Sequence, residues 1–88
     1  MYKVDVAQQA EKFIRKQDKR VQRQIINKIR GLSENPRPQV CKKLQGYKEL
    51  YRIPSGNYRI VYTIAEKKLL VFVVRTAHRK DIYKRLDR

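Results

Sequence analysis

Cysteine, histidine and tryptophan are almost missing from this chain of 88 residues, which has one Cys, one His and no Trp. With Cys41 alone, no disulfide can close within the chain, and no Cys/His cluster exists to hold zinc. A reducing compartment is the natural reading. Acidic residues are few, 8 Asp plus Glu, and they are scattered, so no pair presents itself for Mg²⁺. No apolar run approaches the roughly 18 residues of a membrane span, and Met1-Tyr2-Lys3-Val4 carries no signal-peptide pattern. These absences lead us to expect a cytoplasmic protein with neither metal nor cofactor. No repeat, linker or low-complexity segment divides the chain, so residues 1–88 read as one domain with a modest core.

What is abundant is positive charge: 23 Lys plus Arg give a net charge of +15. Such an excess repels itself in a compact fold and calls for an anionic partner, whether nucleic acid, an acidic protein or a membrane surface. A membrane is the weakest of the three, because no bulky apolar helix face is flanked by Trp. Charge by itself favours RNA or DNA without implying catalysis.

The hydrophobic spacing divides the chain into elements. Tyr2 to Val6 alternates as a first strand. Ala7 to Lys16 reads as a helix with Val6, Ala10, Phe13 and Ile14 on one side. Asp18 is placed to cap a second helix, in which Val21, Ile25, Ile29 and Leu32 form one stripe, widened by Ile26. Asn35-Pro36-Arg37-Pro38 ends it. The short connection implies an antiparallel helical hairpin. Three strands follow: Tyr47 to Ile53, Tyr58 to Ile64 and Leu69 to Arg75, separated by turns at Pro54-Ser55-Gly56-Asn57 and Ala65-Glu66-Lys67-Lys68. The last of these is nearly all apolar, as an interior strand covered on both faces would be. A short basic helix, Arg79 to Leu86, closes the chain. The expected fold is α+β: an N-terminal strand and a two-helix hairpin packed on a mostly antiparallel sheet of about four strands.

Sequential strands with short loops pair antiparallel. A three-strand meander brings Arg52, Arg59, Arg75, His78, Arg79 and Tyr83 to one end of the sheet. In the middle strand Tyr58, Ile60, Tyr62 and Ile64 point towards the helices, and Arg59, Val61 and Thr63 point away. RNA brings its own nucleophile to such a surface. The 2′-hydroxyl can attack the adjacent phosphate, given a base, positive charge for the phosphorane and an acid for the leaving oxygen. Arginine suits the middle role, since its planar fork donates two hydrogen bonds to phosphate and stays charged. His78 is the one side chain whose unperturbed pKa, about 6.5, suits proton transfer near neutrality. Tyr83 could stack on a base or orient a proton.

The ordered series Lys43-Leu44-Gln45-Gly46, Leu50-Tyr51-Arg52, Gly56-Asn57-Tyr58-Arg59-Ile60-Val61-Tyr62, Val71-Phe72-Val73-Val74 and His78-Arg79-Lys80-Asp81-Ile82-Tyr83 resembles the RelE toxins of bacterial toxin–antitoxin pairs. The resemblance covers nearly the whole chain. It implies a microbial-RNase-like fold and a ribosome-dependent endoribonuclease that cuts messenger RNA in the A site. It also implies an acidic RelB-type antitoxin that folds on binding, with operator DNA reached only through that complex. By motif, Arg59 matches the phosphate-stabilising arginine and Arg79 the second catalytic arginine, assigned to the leaving group. Tyr83 matches the carboxy-terminal tyrosine, and Arg52 a basic position. Arg75, Lys43 and Lys80 are further candidates for RNA binding. Many members carry a second Lys or Arg where this chain has Pro54, which leaves the base open and His78 a candidate for it.

Each residue also has a plainer reading. His78 at a strand end can be a cap, Tyr83 can pack on the sheet, and Tyr51, Tyr58 and Tyr62 can be structural. Arg15, Lys16, Lys19, Arg20 and Arg23 form a solvated helix face. The rival functions are a ParE-like gyrase-inhibiting toxin and a non-catalytic nucleic-acid-binding protein, the latter including an inactive corepressor.

Overall fold

The computed structural model describes residues 1–44, 46 and 49–82. The chain runs β1 (Lys3–Val6), α1 (Gln8–Arg15), α2 (Lys19–Glu34), β2 (Lys42–Lys43), β3 (Leu50–Ser55), β4 (Tyr58–Ala65), a 3₁₀ turn (Glu66–Lys68) and β5 (Leu70–His78). The strands form one sheet in the order β1-β5-β4-β3-β2. β1 pairs parallel to β5, and every other pairing is antiparallel.

The helices form where their signals lie. Asp18 caps α2 by accepting the Val21 N–H at 2.9 Å, which satisfies one of the orphan donors of the first turn. α2 stops at Glu34, ahead of Pro36. Its stripe meets the sheet: Ile25, Ile29 and Leu32 are buried together with Ala10 and Ile14 of α1 against Ile53, Ile60, Tyr62, Ile64, Val71 and Val73. Burying one such aliphatic side chain contributes about 1.5–3 kcal/mol. Ile26 stays outside this core and is exposed, because the stripe turns away before reaching it. A smaller cluster on the other side of the sheet joins Leu44, Val61, Ala77 and Ile82. β4 and β5 are therefore interior strands with apolar contacts on both faces.

Four expectations are corrected. The sheet has five strands rather than about four, because Lys42–Lys43 adds a short edge strand with no hydrophobic alternation to announce it. β3 runs on through Pro54 and Ser55, so the turn is only Gly56–Asn57. Pro54 is tolerated there because a proline at a position that donates nothing to the ladder costs no hydrogen bond. Gly56 has φ +61°, the left-handed value that a tight hairpin asks of its first loop residue. β5 extends to His78 rather than stopping at Arg75. Arg79 to Ile82, expected as the start of a helix, are turns, and the remainder of that expected helix lies outside the described residues.

A polar clasp ties the chain's beginning to the far end of the β4–β5 hairpin. The Tyr2 hydroxyl donates to Glu66 Oε1 at 2.6 Å, and Arg37 Nη1 meets Glu66 Oε2 at 2.7 Å. Arg37 also lies over the Tyr51 ring, 5.3 Å from its centroid. The buried Tyr62 hydroxyl donates to the Pro36 carbonyl at 2.7 Å, and burial pushes its phenol far above the usual 10.0. Glu66 is held below its ordinary 4.5, first by the Tyr2 hydrogen bond and then by Arg37. A depressed carboxylate stabilises the fold above its unfolded pKa and loses that contribution as pH falls through the folded value. Melting temperature should therefore drop on acidification below about pH 4.5. Glu66→Gln should remove that part of the drop; circular-dichroism melts of the two proteins that fall in parallel would show that the clasp adds nothing.

Candidate nucleic-acid interface

Strand parity gives the sheet two unlike faces. Tyr58, Ile60, Tyr62 and Ile64 face the helices. Arg59, Val61 and Thr63 face away, with Arg52 and Pro54 of β3 opposite Val61 and Arg59. On the other side of β4, Val61 is opposite Arg75 and Arg59 is opposite Ala77. Lys42 of β2 pairs with Arg52. Lys42, Arg52, Val61 and Arg75 thus form one cross-strand row on the outer face. Strands lie about 4.8 Å apart, so the backbone positions of Arg52 and Arg75 are separated by ~10 Å. Arg59 lies diagonal to Arg52, about 7–8 Å away.

Arg75 reaches this face through a defect in the ladder. Val61 pairs with Arg75, but the next residue, Tyr62, pairs with Val73, leaving Val74 as a bulge. An unbroken alternation from Val71 and Val73 would have sent Arg75 into the helix-side core. The bulge turns it outward, where its Nη2 donates to the Asp81 carbonyl at 3.0 Å. Together with buried Ile82, that bond holds the Arg79–Ile82 turn over the sheet.

The β3–β4 turn gathers the remaining arginines. Arg59 Nη1 donates to the Gly56 carbonyl at 3.0 Å and to the Tyr58 carbonyl at 2.9 Å, which fixes a half-buried guanidinium at the hairpin end. The Arg79 backbone N–H donates to the Asn57 carbonyl at 2.8 Å. Arg79 itself is exposed, so its side chain is open to solvent at this end of the sheet. Two arginines twenty positions apart are in this way fastened to a turn of two residues. Asn57 was read from the sequence only as a turn residue; its part in holding Arg79 carries no sequence signal, since any residue has a carbonyl.

Not every candidate joins them. His78 pairs with Tyr58 and therefore lies on the helix-side face. Its ring packs edge-on against Tyr58, centroids 5.6 Å apart, and its Nδ1 accepts the Lys80 N–H at 3.2 Å. Imidazole and Arg59 are on opposite sides of the sheet. Lys43 pairs with Tyr51 and takes the helix-side parity, so Lys42, which the sequence reading passed over, is the partner of Arg52. Lys80 is exposed in the turn after Arg79. Tyr83 lies outside the described residues. Among the described residues, no three His, Cys, Asp or Glu side chains come together as metal ligands. No helix among them is long and apolar enough to cross a membrane.

The family described as the ParE toxin of a type II toxin-antitoxin system, parDE, matches residues 4–83. The chain belongs to the RelE/ParE toxin family. This toxin is 33% identical over 81 residues to the mRNA interferase toxin RelE of Escherichia coli, spanning 90% of this chain and 84% of that protein. Its fold matches RelE in the E. coli RelBE toxin–antitoxin complex with a TM-score of 0.76 at 32% identity, over 89% of this chain and 96% of that one. The archaeal RelE–RelB complex from Pyrococcus horikoshii matches with a TM-score of 0.79 at 25% identity, over 89% and 94% of the two chains.

The Arg75 contact is open to direct measurement. Arg75→Met keeps most of the apolar stem and removes the bond to Asp81. Amide hydrogen exchange in Arg79–Ile82 should speed up by about an order of magnitude, as loss of a hydrogen bond worth roughly 1–1.5 kcal/mol implies. Unchanged protection there would mean that Ile82 and the backbone hydrogen bonds of the turn hold it without Arg75.

Proposed function

We propose that this RelE/ParE toxin is an endoribonuclease that cleaves messenger RNA in the ribosomal A site. The observation that carries the proposal is the anchoring of Arg59 and Arg79 to the same turn, at the end of the sheet that also carries Arg52. That arrangement supplies one guanidinium, Arg59, already held before substrate arrives, and a second, Arg79, carried on the same turn. The name of the E. coli relative, mRNA interferase toxin RelE, supports the same reading.

In the proposed reaction the RNA 2′-oxygen forms a bond to the adjacent phosphorus and the bond from phosphorus to the 5′-oxygen breaks. The products are a 2′,3′-cyclic phosphate and a 5′-hydroxyl. Arg59 stabilises the phosphorane, and Arg79 neutralises the departing oxygen. Arg52 and Lys42 hold the neighbouring backbone. Guanidinium, with a pKa above about 12, is no base, and His78 faces the other way. The proton of the 2′-hydroxyl therefore passes to water, and the 5′-oxygen takes one up. The step needs no metal. Tyr83 keeps the role that its motif implies, stacking on or orienting the substrate.

An acidic RelB-type antitoxin that folds on this surface would neutralise the cations and occlude the arginines. The solved RelE–RelB complexes of relatives support this partner. Operator DNA would be engaged only by that complex, and the free toxin would work in the cytoplasm.

Purified protein added to programmed ribosomes should give new mRNA ends within the A-site codon, ending in 2′,3′-cyclic phosphate. Arg59→Ala and Arg79→Ala should each lower the rate by about 10²–10³, whereas His78→Ala should stay within about tenfold of the parent, below the usual effect of removing a proton-transfer group. Equal losses in all three would restore His78 as the base. Because the matching family description is that of a ParE toxin, the rival is a gyrase-directed toxin. Intact message together with arrested gyrase would establish that rival.

A further inference from the structure

Beside the arginine row, the sheet has a gap in its edge. β1 pairs only with Leu70–Val73 of β5. Past that point β5 meets α1 instead: Gln9 Nε2 donates to the Val74 carbonyl at 3.3 Å, and the Thr76 side chain donates through Oγ1 to the Ala10 carbonyl at 3.1 Å. A cavity of about 300 Å³ opens here, lined by Gln9, Phe13, Arg75, Ala77 and Asp81 among others. Arg75 and Ala77 are outer-face residues, so the cavity continues the row Lys42–Arg52–Val61–Arg75 around the edge of the sheet.

We infer that this cavity is a subsite for a single unstacked nucleobase, with adenine its best match. Its volume is at the lower end for ligand pockets, room for one base rather than a dinucleotide. Its lining has the three parts that base recognition uses. Phe13 offers an aromatic ring already set in place by its edge contact with Tyr58, centroids 6.0 Å apart. Gln9 spends one amide N–H on Val74, at a long 3.3 Å. Its other N–H and its Oε1 have no partner among the described residues, and they match the donor and acceptor on the N6/N7 edge of adenine. Arg75 brings the positive charge of a guanidinium to the lining, its Nη2 donating to the Asp81 carbonyl. The subsite rests on the nuclease reading for its biological meaning, since the RNA strand held on the outer face is what would deliver the base.

The test is a titration of isotopically labelled full-length protein with adenosine, guanosine, cytidine and uridine 5′-monophosphates, followed by NMR. Adenosine monophosphate should shift the Gln9 side-chain amide and the Phe13 ring signals most. Gln9→Ala should weaken its binding by about tenfold, and Phe13→Leu by a similar factor or more. Gln9 is exposed, so its replacement leaves the core untouched. In the ribosome assay, Gln9→Ala should also flatten any base preference beside the cut. Shifts confined to Lys42, Arg52 and Arg59, with none at Gln9 or Phe13, overturn the subsite. So does a response to an acidic peptide but to no nucleotide, and that result would assign the cavity to a protein segment. Wild-type protein that binds adenosine monophosphate in the cavity yet leaves mRNA intact would keep the subsite and sink the nuclease.

Discussion

The hydrogen bonds made to the Gly56–Asn57 turn are the constraint on which the rest of the surface depends. A guanidinium on a long, flexible stem loses considerable side-chain entropy when it is held still. Arg59 is held by carbonyls of its own hairpin, Gly56 and Tyr58, so little of that cost falls on ligand binding. Arg79 is brought to the same place by its backbone, through the Asn57 carbonyl. The turn is tight because Gly56 adopts a left-handed φ that a residue with a Cβ would adopt only under strain. A shift of β3 against β4 by one residue would send Arg52 to the helix side and bury its charge. Packing of Ile53, Ile60 and Tyr62 against the helices forbids that slip.

The same packing tolerates an unusual charge. Cations populate both layers: Lys12, Arg15, Lys16, Lys19, Arg20, Arg23, Lys28 and Arg30 on the helices, and the arginine row beneath the sheet. Glu11 and Glu66 are engaged by Arg15 and Arg37. The Glu11 pair is exposed and contributes little. The Glu66 pair belongs to the clasp that closes the far end of the sheet, away from the Gly56–Asn57 turn. That end of the sheet is thus tied down by polar contacts, and the arginines gather towards the other.

Much of this organisation was legible beforehand, for reasons that can be stated residue by residue. The stripe Ile25, Ile29 and Leu32 had to be buried, and Asp18 had to cap, because helical period and cap chemistry are local. The β4 alternation separated Ile60 and Tyr62 from Arg59 and Val61 because side-chain direction in a strand is fixed by parity. Antiparallel pairing of neighbours then brought Arg52, Arg59 and Arg75 towards one end of the sheet. The failures were equally physical. Lys42–Lys43 becomes a strand only because β3 offers it an edge. Pro54 reads as a turn residue, yet sits in a strand where its missing N–H costs nothing. His78 looked like a base by type, but its parity is set by how far β5 extends past the bulge.

The chain's own sequence determined its charge, its two helices, the two faces of its central strand and, through the series of motifs, its membership of the toxin family. These are properties of composition and of local stereochemistry, which neighbours along the chain suffice to define. Tertiary structure alone decided that Val74 bulges and Arg75 turns outward, that Lys42 rather than Lys43 stands beside Arg52, that imidazole and guanidinium take opposite sides of the sheet, and that a cavity opens where β1 ends. Each of those depends on which residues pair across strands, and pairing is chosen by the whole core at once.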